Sequence, residues 1–181
     1  ACEPIKKLAE ESKKKSDIII NDFWSYENYR KVTFDKARVI TTISMFYDLD
    51  NPNTFVADTA RALRDDGLWV IQQNYLVSML KNVAYDNIVH EHIEYYSLTS
   101  LEPLLNRHGL EVVDVETNEL NGGSFRTYVK HMDSVKRMRM IEQKLKIANQ
   151  WTYFLFSLHV REATKKLRAF VEEQVKNGKT V

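Results

Sequence analysis

The chain has 181 residues, of which 44% are hydrophobic and 28% charged, enough for one domain with a real core and the balance of a folded rather than a disordered protein. A net charge of +1 gives no global field for nucleic acid or an acidic surface. The longest apolar stretch, Ile147 to Val160, is too short to span a bilayer, and the single cysteine, Cys2, excludes an internal disulfide or a thiolate zinc cluster within this sequence.

With no signal peptide visible, a cytoplasmic location is the expectation. "ACEPIKKLAEE" reads as a turn from a strand into a helix, and "VKNGKTV" as a helix stop at Gly178 followed by the start of a strand, so both ends are expected to belong to something longer. Ile5 to Lys15, with Ile5, Leu8 and Ala9 on one side, suits an exposed amphipathic helix. "DIIIND" (Asp17 to Asp22) and "ARVITTI" (Ala37 to Ile43) are β-branched runs expected as strands buried on both faces. Asn51 caps a helix with Pro52 at its first position, facing inward with Phe55, Val56, Thr59, Ala60 and Leu63. Asp66-Gly67 is expected to turn the chain into a third strand, "LWVIQQN".

An irregular stretch follows, containing "NIVHEHIEYYSLTS". Thr99-Ser100-Leu101-Glu102 then predicts a capping box for a helix to His108, ended by Gly109. "LEVVDVE" is a fourth strand, and "NGGS" turns into a last one, "FRTYVKH". The alternation predicts an α/β fold with a mostly parallel sheet and an antiparallel edge strand. From Asp133 to Asn177 there is no Gly or Pro, and Tyr153, Phe156, Val160, Ala163, Leu167 and Phe170 recur at helical spacing. This predicts a long helix, or two broken near Ala148 to Thr152, whose apolar stripe packs on a neighbouring domain or a partner, with self-association as one option.

Ligands of open α/β sheets bind at the carboxyl ends of the strands. Those ends carry Glu3; Asn21, Asp22 and Phe23; Ser44, Tyr47 and Asp48; and Gln73, Asn74 and Tyr75. An acidic residue there can take both hydroxyls of a ribose, and an Asp-aromatic pair can bond and cover an adenine, so a nucleoside cofactor is reasonable. No GxGxxG loop is present. His90-Glu91-His92 admits three readings: a two-histidine metal site as in a metal-dependent hydrolase, an acid–base centre, or polar contacts before a helix. His108, His131 and His159 read as structural or surface residues.

"ACEP", "IINDFW", "VITTISMFYDLDNPNTFV", "LRDDGLWVIQQNYL", "YDNIVHEHIEYYSLTSLEPLLNRHGLEVVDVE" and "NGGSFRTYV" together resemble the S-adenosylmethionine-dependent C-methyltransferases that branch deoxysugars, from residue 1 to about Lys130. The resemblance implies a class I methyltransferase (Rossmann-like) fold over 1–131 and a helical segment, 132–181, leading into a further domain. It implies S-adenosylmethionine as cofactor, S-adenosylhomocysteine as product, no metal in this segment, and a small-molecule substrate such as a nucleotide sugar. Glu3 matches the ribose-binding acid, and Asp22 with Phe23 the adenine contacts; Ser44 is taken with them. Glu91 and His92 match the pair beside the sugar, with His92 as base, Glu91 holding a hydroxyl or the base, and His90 secondary. Val89 stands where relatives have Tyr, and Asp48 where they tend to have His, which leaves the acceptor open. The family's N-terminal zinc module and glycine-rich cofactor loop have no counterpart in these residues. The rival is a methyltransferase-like domain without catalysis, acting in binding or assembly.

Overall fold

A computed structural model describes residues 1–179. They divide into two compact units, Ala1–Met132 and the residues from Asp133 onward. The strand foreseen at Thr180-Val181 lies outside the described residues. Among the described residues no helix is long and apolar enough to cross a membrane.

In the first unit, α1 (Lys6–Ser12) and α2 (Tyr26–Arg30) precede β1 (Ala37–Ile43). Helix α3 (Pro52–Ala62) runs directly into β2 (Leu63–Asn74), followed by α4 (Leu76–Asn82), α5 (Leu98–Asn106), β3 (Leu110–Asn118) and β4 (Ser124–His131). The sheet order is β1-β2-β4-β3. β1 pairs with β2 in parallel, and β4 pairs with both β2 and β3 in antiparallel. Three strands therefore point one way and β4 alone runs against them, inserted between β2 and β3.

β2 positions the core through its alternation. Trp69 and Ile71 face inward with Phe46, Val56, Tyr96, Leu101, Leu105, Leu110, Phe125 and Val129. Trp69 is fully buried, and its indole N–H donates to Thr42 Oγ1 on β1 at 2.9 Å. Phe46 meets the Trp69, Phe55 and Tyr96 rings at centroid distances of 5.9, 5.8 and 5.3 Å. Asn51 caps α3 as expected, its side chain accepting from the Thr54 N–H.

Several expectations need correction. Asp17 to Asp22 is not a regular strand: only Cys2 and Ile20 form a parallel bridge. Three bonds hold it, Ala1 N to Ile18 O, Ile20 N to Ala1 O and Glu3 N to Ile20 O. The ladder stops at Pro4, which has no N–H to donate. Nor are these runs buried on both faces, since Ile18 is 51% exposed and Val39 57%. β1 has a strand partner on one side only.

The chain does not turn at Asp66-Gly67; it enters β2 at Leu63. Ala37 pairs with Leu63 but Val39 with Leu68, so residues 64–67 bulge outward, with Arg64 bonded to Asp66. The capping box of α5 lies two residues earlier than foreseen: Ser97 Oγ accepts from Ser100 N, and Ser97 N donates to Ser100 Oγ. The extended Ser97 backbone (φ −114°, ψ 169°) is what a cap requires. At the "NGGS" turn, Gly123 has φ +120°, and a Cβ there would lie 2.5 Å from Ser78 Cβ on α4. Glycine is thus needed for α4 to lie against this turn.

In the second unit, α6 (Ser134–Leu145) and α7 (Gln150–Lys176) are separated by a break at 146–149, where Lys146 is left-handed (φ 52°) and Asn149 caps α7. Neither helix has a buried residue, so the aromatic stripe of Tyr153, Phe156 and Phe170 is exposed.

Candidate active site

β1 is followed by Ser44, a non-glycine residue in the left-handed region (φ 51°) whose N–H donates to Gln72 O at 2.8 Å. The reversal leads into a single helical turn, Phe46–Asp48. Phe46 is clamped in the core, which fixes Tyr47 and Asp48 beside it. The Tyr47 carbonyl accepts from both Ile93 N and Glu94 N at 3.0 Å, tying the segment after β2 to the end of β1. The Tyr47 and His92 rings meet edge-on, with centroids 4.5 Å apart. Burial pushes the Tyr47 phenol up, and the Asp48 charge adds to this, while a hydrogen bond with Ser44 works against them.

His92 is held by main chain. Its N–H donates to Val89 O at 3.1 Å, and Nδ1 lies 2.9 Å from Asn87 O. A carbonyl oxygen can only accept, so Nδ1 carries the proton of the neutral ring and Nε2 keeps a lone pair. The Asn87 carbonyl also accepts from the Tyr95 hydroxyl at 3.3 Å, and the Asn87 side-chain oxygen accepts from Asn74 Nδ2 at 2.6 Å. Tyr47, Asn74, Asp86, Asn87, His92 and Asn121 line a cleft of about 300 Å³. Burial raises the Asp48 carboxyl above its ordinary range; nearby His92 opposes this and Glu91 adds to it.

The sequence-derived residues separate into groups. His92, Asp48 and Tyr47 are together. Glu91 Oε1 instead pairs with His90 Nε2 at 3.0 Å, with the two side chains 61% and 91% exposed. The orienting partner of His92 is therefore the Asn87 carbonyl rather than Glu91. His90 and His92 have different partners, and among the described residues no group of three or more His, Cys, Asp or Glu is arranged around a common point.

Glu3 and Asp22 are stitched together by Asn21, whose Nδ2 donates to the carbonyls of Glu3 and Pro4. Glu3 Oε1 accepts from Ile5 N, Asp22 Oδ1 accepts from Phe23 N, and the Phe23 ring is exposed. Ser44 sits with Tyr47 instead, and no hydrogen bond or ion pair among the described residues joins Glu3, Asp22 or Phe23 to His92. Sequence reasoning missed Asn87 and Tyr95. Asn74 and Tyr47 were visible only as residues at strand ends.

Residues 3–115 match the methyltransferase-domain family. The chain is 33% identical over 152 residues to the C-methyltransferase NovU of Streptomyces niveus, a match covering 80% of this chain and 36% of that protein. It thus spans about a third of that relative's length. It superposes with a TM-score of 0.55 on a chain of the complex between the Haloferax volcanii Trm112 methyltransferase activator and a methyltransferase, at 11% identity, covering 73% of this chain and 71% of that one. For the mitomycin 7-O-methyltransferase MmcR the TM-score is 0.53, at 16% identity, over 72% of this chain and 40% of that one. At such identities the two structures speak for the fold. With the four-stranded sheet and the family match over residues 3–115, the chain belongs to the S-adenosylmethionine-dependent methyltransferase family.

Proposed function

We propose that the protein methylates a carbon next to a carbonyl in a sugar nucleotide or similar keto substrate. The observation that carries this reading is the Asn87 carbonyl on His92 Nδ1, which leaves Nε2 as a base in a residue that lines the cleft. Its similarity to a protein named C-methyltransferase supports the same chemistry. His92 Nε2 takes the proton from the acceptor carbon, and the C–H electron pair passes into an enolate. The Asn87 carbonyl faces the imidazolium so formed and stabilises it. Asp48, in electrostatic contact with His92, adds negative charge to its surroundings.

S-adenosylmethionine supplies a methyl group that its sulfonium has already activated. The groups at the other strand ends have suitable chemistry for it. Among the described residues Glu3 Oε2 has no hydrogen bond, and it fits the ribose hydroxyls. Asp22 Oδ2 is likewise free, and the exposed Phe23 ring offers a face for adenine. Ser44, on the Tyr47 side, is the residue through which this reading links cofactor and acceptor. Glu3→Ala should weaken S-adenosylhomocysteine binding by about 1.5–3 kcal/mol, roughly 10- to 150-fold, read by calorimetry. An unchanged Kd would remove Glu3 from the site.

The direct experiment supplies the full-length protein with S-adenosylmethionine carrying a ¹³C methyl group and a dTDP-4-keto-6-deoxyhexose uniformly labelled with ¹³C in the sugar. A new carbon–carbon coupling in the product is expected; a methyl group on oxygen or nitrogen would sink carbon methylation. Contact of a second copy through the exposed α7 stripe belongs to the same reading, and sedimentation velocity at rising concentration reads it.

A further inference from the structure

Two observations meet at Asn74. It is one of the residues lining the cleft with His92, and its Oδ1 is buried with no hydrogen-bond partner among the described residues. Its amide cannot simply be reversed to repair this. Nδ2 donates at 2.6 Å to Asn87 Oδ1, an acceptor, and Asn87 Nδ2 is itself directed to Ala84 O. The amide orientation is thus set by a chain that runs from Ala84 through Asn87 to Asn74. The same Asn87 fixes the His92 tautomer through its carbonyl. A buried carbonyl oxygen left unpaired costs about 1–3 kcal/mol, so a group retained in that state at a cleft wall is poised to accept from a ligand.

We propose that Asn74 is a specificity-determining residue of the acceptor site, its Oδ1 taking a hydrogen bond from a hydroxyl of a polyhydroxylated ligand and so fixing which ligand carbon lies against His92. The proposal rests on the carbon-methylation reading above and adds what that reading leaves open, the means of orienting the acceptor. The position of Asn74 suits the task. It is the last residue of β2, paired across the sheet with Ser124, so its backbone is fixed on a rigid element. Tyr75 N donates to Gly123 O immediately after it, which ties β2 to the turn carrying Asn121, another residue of the cleft lining. A ligand lacking the hydroxyl would leave Oδ1 buried and unpaired, which is how a polar pocket rejects a deoxygenated analogue.

The test titrates dTDP-glucose, and separately S-adenosylhomocysteine, into the full-length protein and its Asn74→Leu and Asn74→Asp variants by calorimetry. Asn74→Leu removes the acceptor at similar volume; Asn74→Asp keeps an acceptor oxygen, with the Asn87 amide reversing to donate to the new carboxylate in place of its long 3.4 Å bond to Ala84 O. Expected is a loss of tenfold or more in dTDP-glucose affinity for Asn74→Leu, near-wild-type affinity for Asn74→Asp, and S-adenosylhomocysteine affinity within twofold in both. Equal dTDP-glucose binding by wild type and Asn74→Leu overturns the role of Asn74 and leaves carbon methylation standing. Equal losses in both variants also overturn it, since the acceptor oxygen would then not matter. Absence of dTDP-glucose binding by the wild type overturns the ligand class together with the sugar-nucleotide reading, and the S-adenosylhomocysteine titration then shows whether the cofactor assignment survives.

Discussion

Replacing His92 by alanine should lower turnover about 10²–10⁴-fold, the usual contribution of a positioned general base. S-adenosylhomocysteine binding should stay within twofold, because His92 contacts Tyr47, Val89 and Asn87 and none of Glu3, Asp22 or Phe23. A second readout separates a base from a structural residue. With the keto acceptor alone in D2O, wild type should exchange the proton next to the carbonyl for deuterium, whereas the alanine variant should not. If the variant lost cofactor binding and turnover in parallel, or still exchanged at the wild-type rate, His92 would not be the base.

Trp69→Ala should cost about 3–5 kcal/mol of stability, as for other large aromatic truncations in a core. Trp69 is fully buried and touches Phe46 and Phe55, so its removal opens space beneath the Phe46–Asp48 turn. It also strips the Thr42 hydroxyl of its indole partner. The variant should therefore unfold at much lower urea, and any surviving folded fraction should lose activity, because Phe46 is what seats Tyr47 against His92. A loss below about 1 kcal/mol would mean that the core collapses around the gap and that the site does not hang on this ring.

Secondary structure was legible wherever local chemistry decides it. Asn51-Pro52 announces α3, the β-branched runs of β1 to β4 announce the sheet, and the Gly-free stretch after Asp133 announces the helices. Failures came where neighbours decide. "DIIIND" has the composition of a buried strand, yet its pairing amounts to three hydrogen bonds with Ala1 to Glu3. Asp66-Gly67 is a good turn pair, but pairing with β1 absorbs it as a bulge. At the candidate site, a His-Glu-His triplet drew attention to the segment whose His92 lines the cleft and suggested Glu91 as the orienting partner. No sequence pattern advertises a backbone carbonyl, so Asn87 could only emerge from the fold. Asn74 was hidden for a related reason: an asparagine at a strand end is ordinary until its unpaired oxygen is located.

The bonds that hold His92 and its neighbours end on the carbonyls of Tyr47, Val89 and Asn87. No substitution can delete a carbonyl oxygen, so the side chains at 48, 87 and 89 can vary without disconnecting the imidazole from its support. Asp48 and Val89, the two departures from the sugar-methyltransferase pattern, sit in this replaceable layer. On the proposed reading the design is modular, with the imidazole mounted on backbone and a recognition lining free to drift beside it. Such an arrangement would allow one scaffold to be retuned for new acceptors by point changes that leave the imidazole in place.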